Sequence, residues 1–162
     1  MTKGSQMPNI LNESILQQVK ELFDAQLKGP VEVLFFGSKN EEKCPYCNDA
    51  RQLVEEVVDI SDKLHLSVYD LDENAQTAQT YHVDKTPTLV IAGREGEGSS
   101  NGDALTDYGV RYIGLPSGHE FSSLIHSLVL VSGRDSGLNP QTRQFLQELK
   151  KPIHLQVFVT PT

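Results

Sequence analysis

The chain has 162 residues, 38% of them hydrophobic and 22% charged, which fits one domain with a sizeable core and a short remainder. Lys and Arg number 14 against 22 Asp and Glu, and the net charge of -8 disfavours nucleic-acid and anionic-membrane partners, which repel an acidic body. Two cysteines exclude a disulfide-dense secreted framework and a four-cysteine zinc site, but they suffice for one redox pair.

The segment Met1 to Ile10 carries a single Lys3 and no apolar run, so it lacks the core of a secretory signal. No stretch approaches the roughly 20 apolar residues that span a bilayer. The expectation is a soluble, cytoplasmic protein with no membrane partner. In that compartment a close cysteine pair is more often catalytic or metal-binding than structural. Ile15, Val19, Leu22 and Phe23 recur at helical spacing behind Asn12 as N-cap, and Gly29-Pro30 is the stop. Val31 to Phe36 reads as a central strand buried on both faces, with Glu32 out of keeping. A charged loop, Gly37 to Lys43, leads to a second helix that should begin near Pro45 and present Ala50, Leu53, Val54, Val57 and Val58 on one face. Leu64, Leu66 and Val68 alternate as a second strand, and a polar helix follows from Asn74 to His82. Thr88 to Ile91 makes a short strand opened by Pro87. Arg94 to Asp107 has the composition of an exposed loop, and Tyr108 to Ile113 returns as a hairpin partner. Gly114 to Gly118 breaks the pattern before a closing helix with Phe121, Leu124, Ile125, Leu128 and Val129 inward.

The first domain spans residues 1–131, a linker spans 132–137, and residues 138–162 repeat what came first. Pro30 aligns with Pro152, Phe36 with Phe158, Phe23 with Phe145 and Leu27 with Leu149 at one constant offset. The last segment therefore reads as the first helix and strand of a second, truncated unit. Its strand, 153–159, is expected either to join the first unit's sheet or to pair with another chain, making a homodimer.

Cys44-Pro45-Tyr46-Cys47 lies at a strand-to-helix junction. Cysteines two residues apart can close a small disulfide with little backbone motion, and a helix N-terminus favours thiolate. Cys44, at the very start, is the candidate nucleophile with an exposed sulfur, and Cys47 the resolving thiol. Lys43 assists the thiolate, whereas Glu41 and Glu42 oppose it. A half zinc site completed by His65, His82 or His119 is one alternative, though none of these has a paired His or Cys at ligand spacing, and an inert disulfide is another, disfavoured by a reducing compartment; the surrounding β-α-β-α-β-β-α order adds weight to redox exchange. Thr86-Pro87 at a strand start is either an ordinary trans proline or a cis proline that turns the preceding backbone toward the cysteine helix.

Those two motifs, the closing strand and helix, and the partial duplication resemble the thioredoxin and glutaredoxin superfamily. Tyr108 to Phe121 and Gln156 to Thr162 look more narrowly like the glutaredoxin-like protein disulfide oxidoreductases, which carry two thioredoxin folds in tandem. The resemblance implies an α/β, thioredoxin-like fold with a central mixed four-stranded sheet flanked by helices. It also implies a thiol-disulfide oxidoreductase acting on protein disulfides, with Cys44 as nucleophile, Cys47 as resolving thiol and Pro87 in cis. Thr86 then offers its backbone to substrate, and Tyr46 is a contact for an incoming peptide or glutathione. In such a fold the first strand runs beneath the cysteines, which makes Glu32 a candidate proton relay. Glu55 and Glu56 on the cysteine helix supply another candidate, with Glu56 the preferred one. No metal or bound cofactor is expected beyond the Cys44-Cys47 disulfide, with glutathione or a thioredoxin-reductase-type protein as electron donor. The competing reading is a non-catalytic docking or electron-transfer module of a larger redox protein.

Overall fold

The structure, a computed structural model, describes residues 9–95 and 104–158. Helix α1 (Glu13–Gln26) starts where Asn12 Oδ1 accepts the Ile15 N–H at 2.9 Å, satisfying one of the donors a helix start leaves unpaired. Then follow β1 (Val31–Gly37), α2 (Cys47–Val58), β2 (Leu64–Asp70), α3 (Ala75–Thr80), β3 (Thr88–Arg94), β4 (Leu105–Ile113), α4 (His119–Gly133) and α5 (Pro140–Gln147). The strands form a four-stranded sheet in the order β2-β1-β3-β4. β1 runs parallel to β2 and antiparallel to β3, and β3 runs antiparallel to β4. This is the mixed sheet flanked by helices that the sequence implies.

Strand periodicity sorts β1 onto two cores. Val31, Val33 and Phe35 point into the larger one, with Val19 and Phe23 of α1, Leu53, Val54 and Val57 of α2, and Leu124 and Leu128 of α4. Leu34 and Phe36 point the other way, against Ala78 of α3, Val83, Val90 and Ala92. All seven residues of β1 are buried, as a strand with neighbours on both edges should be. Glu32 is 5% exposed and lies on the smaller-core side.

Several boundaries differ from the sequence reading. α2 begins at Cys47 rather than Pro45, because residues 44–46 form a tighter turn in which the Cys47 N–H reaches the Cys44 carbonyl at 3.3 Å. β4 begins at Leu105, not Tyr108. Its register shifts opposite Ile91/Ala92, and Gly109 takes the positive φ of 79° that this irregularity requires. Residues 96–103 of the expected 94–107 loop lie outside the described residues. Helix α4 runs past Val131 to Gly133, so its end takes in the start of the expected linker. Ser132 there is 2% exposed, accepts the N–H groups of Lys28 and Gly29 at 2.8 and 3.0 Å, and donates to the Gly29 carbonyl at 2.6 Å.

The helix expected after Asn139 forms as α5, capped by Asn139 Oδ1 accepting the Thr142 N–H at 2.8 Å. The strand expected over 153–159 does not appear: residues 151–158 carry no strand pairing, and Val159 lies outside the described residues. It does not join the first unit's sheet either. The repeated segment matches β1 in pattern but lacks the two neighbours that hold β1, and a lone strand has no ladder to stabilise it. The same contrast appears between repeat positions, with Phe23 1% exposed and Phe145 58%.

Candidate active site

β1 delivers the chain to the cysteines. It ends at Gly37, and the loop 38–43 turns back so that Cys44 N–H reaches the Asn40 carbonyl at 3.1 Å. Cys44 and Cys47 are joined as a disulfide. The first sulfur is not the open one in this state: Cys44 is 3% exposed and Cys47 6%, because the turn at 44–46 tucks Cys44 against the larger core. Tyr46 occupies the N-cap position and is 59% exposed, so it stands on the surface beside the cysteines. Gly37 is required for the close approach: a Cβ there would lie 3.2 Å from Cys47 Sγ and 2.6 Å from Phe35 Cε1.

The Thr86-Pro87 peptide is cis. Phe36 pairs with Thr88, so Pro87, just before β3, lies at the same end of the sheet as Gly37 and the cysteine turn. The Pro87 carbonyl accepts the Gly114 N–H at 2.9 Å, and Thr88 Oγ1 donates to the Lys85 carbonyl at 2.7 Å. The fold thus brings Cys44, Cys47, Tyr46, Thr86 and Pro87 to one end of the sheet.

The two carboxylates singled out as relays lie elsewhere. Glu32 sits near the opposite end of β1 from Gly37 and on the other face of the sheet from the cysteine helix. It accepts from Ser67 Oγ at 2.6 Å and from Arg94 Nη1 at 3.1 Å. Glu56 is about 13 Å along the helix axis from Cys47 at 1.5 Å per residue. Its two oxygens accept the backbone N–H groups of Ile10 and Leu11 at 2.8 and 2.9 Å, which ties the start of the described chain to α2. Glu55 pairs with Arg51 at 2.7 Å.

The loop beside the cysteines is clamped electrostatically. Lys39 Nζ meets Glu73 at 2.6 Å and Lys43 Nζ meets Asp72 at 2.7 Å. These hydrogen-bonded carboxylates raise both ammonium pKa values. Lys43 is therefore shared with Asp72 rather than devoted to a thiolate. Asp70 takes the backbone N–H groups of Glu73, Lys39 and Asp72, which hold its carboxyl below the usual range, with the neighbouring Lys39 charge adding to them. Sequence reasoning missed Asp70 and Ser38. The signal available was the acidic turn Asp70-Leu71-Asp72-Glu73 directly after β2, facing a loop with two lysines.

Among the described residues, no cluster of three or more His, Cys, Asp or Glu side chains is arranged to hold a metal ion. His65 lies on β2, His82 follows α3 at a φ of 53°, and His119 opens α4. No described helix is long and apolar enough to cross a membrane.

A family model described as a thioredoxin domain matches residues 31–113. The alkyl hydroperoxide reductase AhpF of Staphylococcus aureus is 29% identical over 154 residues, 94% of this chain and 25% of the relative. The chain thus spans about a quarter of the length of such relatives. Among solved structures, a protein disulfide oxidoreductase from Aeropyrum pernix k1 superposes with a TM-score of 0.70 at 25% identity, covering 88% of this chain and 57% of that one. The NTD_N/C domain of alkylhydroperoxide reductase AhpF from Enterococcus faecalis gives 0.70 at 25% identity, covering 87% and 62%. Together the fold, the cis proline and the C-x-x-C disulfide make this a thioredoxin-fold redox domain.

Proposed function

Because the chain belongs to the thioredoxin-domain family, we propose that it is a thiol-disulfide oxidoreductase that acts on protein disulfides. The observation that carries the proposal is the Cys44–Cys47 disulfide at the start of α2, at the same end of the sheet as the cis Thr86-Pro87 peptide. In the reducing direction, Cys44 thiolate attacks a substrate disulfide, forms a mixed disulfide, and releases one substrate thiolate. Cys47 then attacks the Cys44 sulfur, releases the second thiolate and closes the active-site disulfide. Two electrons pass to the substrate and are restored by glutathione or a reductase-type donor. Pro87 and the Thr86 backbone are the proposed rest for an extended substrate segment, and exposed Tyr46 its side-chain contact.

The test is trapping. A Cys47→Ser chain should accumulate a mixed disulfide through Cys44, whereas no adduct with any protein or with glutathione defeats the exchange mechanism. A second reading is supported by the reductase relatives, of which the chain spans about a quarter: an electron-transfer module that docks within a larger redox protein. Insulin-disulfide reduction separates the two. Turnover abolished by Cys44→Ser favours the enzyme, and no turnover with any reductant favours the module.

A further inference from the structure

A polar contact to a reacting sulfur comes from the main chain. One residue past the end of β1, the Ser38 N–H donates to Cys47 Sγ at 3.4 Å. We propose that the Ser38 amide is a catalytic group that stabilises Cys47 as a leaving and attacking thiolate, and that Asp70 positions it. Asp70 faces Gly37 in the β1–β2 register. Its Oδ2 accepts the Lys39 N–H at 2.8 Å, while Oδ1 accepts those of Asp72 and Glu73 at 2.9 and 3.1 Å. The Gly37 carbonyl accepts the Leu71 N–H at 2.9 Å. The backbone is therefore pinned on both sides of Ser38, and its amide is aimed before charge develops, which is the condition under which a donor aids a reaction most.

The proposal rests on the exchange reading above. When a donor thiolate attacks Cys44 Sγ, a new S–S bond forms as the Cys44–Cys47 bond breaks, and the electron pair leaves on Cys47 Sγ, where the Ser38 N–H meets it. In the reverse sense the Cys47 thiolate attacks Cys44 of a mixed disulfide, and the partner sulfur departs with the pair and takes a proton from water. Cys47 also lines an open cavity with Asn48, Arg51, Asp70 and Asn74, a route by which its own proton reaches solvent. Asp70 and Glu73 from the β2 side, Lys39 from the loop and Arg51 from α2 are the charged groups around that cavity. Glu32 lies on the opposite face of the sheet and takes no part.

The test is a pH titration of the Cys47 thiolate, read by its ultraviolet absorbance in the full chain carrying Cys44→Ser. Ser38→Pro deletes the N–H. A backbone ester at the same position deletes it without the proline ring, and serves if the proline variant does not fold. In either, the thiolate midpoint should rise by about one pH unit, a roughly tenfold loss of thiolate at fixed pH. Asp70→Ala, which loosens the amide but also removes a carboxylate charge from the same cavity, should shift it by less, and Ser38→Ala, which keeps the N–H, should leave it in place. An unmoved midpoint in a folded ester chain, or an equal rise in Ser38→Ala, overturns the proposal. Failure of insulin reduction by the parent chain would defeat the exchange reading while leaving this titration intact, so the two are separable.

Discussion

Glu32 shows how much a single residue's role depends on its neighbours. A carboxylate at 5% exposure costs several kcal/mol to desolvate unless it is paired, and Ser67 and Arg94 supply that pairing. Glu32→Ala leaves Arg94 without this carboxylate, and since the Arg94 side chain is 26% exposed the loss should fall at the low end for a buried pair, about 2 kcal/mol by urea unfolding. The rate of insulin reduction should stay within about twofold of the parent, because the carboxylate faces away from the cysteines. A tenfold loss of rate in a folded Glu32→Ala chain would restore it as a relay. Tyr46→Ala makes the opposite pattern: a stability change within about 0.5 kcal/mol, as for an exposed side chain, but a raised KM for a protein disulfide. An unchanged KM would remove Tyr46 from the substrate surface. At this scale the cysteines were legible, since C-x-x-C carries its chemistry in the residues themselves, whereas Thr-Pro alone left trans and cis open and only the family resemblance implied the cis bond that the structure shows. The Ser38 amide and Asp70 were not legible, because their meeting depends on which residue of β2 falls opposite Gly37, and register is set by packing.

Elements were legible where periodicity was strong. α1, β1, the body of α2 and α4 match their apolar patterns. The start of β4 was missed because Leu105-Thr106-Asp107 reads as loop beside a Gly- and Ser-rich stretch, and the end of α4 because Ser132 and Gly133 are weak helix formers. Ser132 is held there by tertiary contact: its hydroxyl is the clasp between α4 and the α1–β1 connection. Ser132→Ala should cost about 1–2 kcal/mol in chemical denaturation, since the Lys28 amide loses its acceptor at a buried junction while the Gly29 amide keeps the Ser132 carbonyl at 3.1 Å. A cost below about 0.5 kcal/mol would mean water replaces the clasp. β4 carries its own pH dependence. Arg111 hydrogen-bonds Asp107 at 2.6 Å and holds its carboxyl below the usual range. A depressed carboxylate adds stability that is fully present above its unfolded pKa and is lost as pH falls through the lower folded value. Unfolding free energy should therefore drop below about pH 4, and Asp107→Asn should flatten that slope. An identical slope in the variant would place the acid sensitivity elsewhere.

For the molecule as a whole, the open question is the tail. Residues 138–158 contribute no buried residue through α5, yet they expose Phe145, Leu146, Ile153, Leu155, Val157 and Phe158, the last three at 85–87%. Their pattern repeats α1 and β1, so we read them as the opening of a second thioredoxin-like unit, a sequence shaped to be covered on both faces and paired on both edges. The first unit holds its cores without them, and truncation after Ser136 should leave its unfolding midpoint and the Cys44–Cys47 chemistry unchanged. Residues 151–158 are a β-prone apolar run that is exposed and carries no strand pairing, the kind of surface that seeks another strand. A second copy of the chain offers the same run in antiparallel register. Sedimentation should therefore show association that grows with concentration, and Leu155→Lys combined with Val157→Lys should return a monomer by placing like charges on one strand face. A parent chain that stays monomeric at high concentration would overturn this pairing, because the exposed side chains of the segment would then draw no second copy.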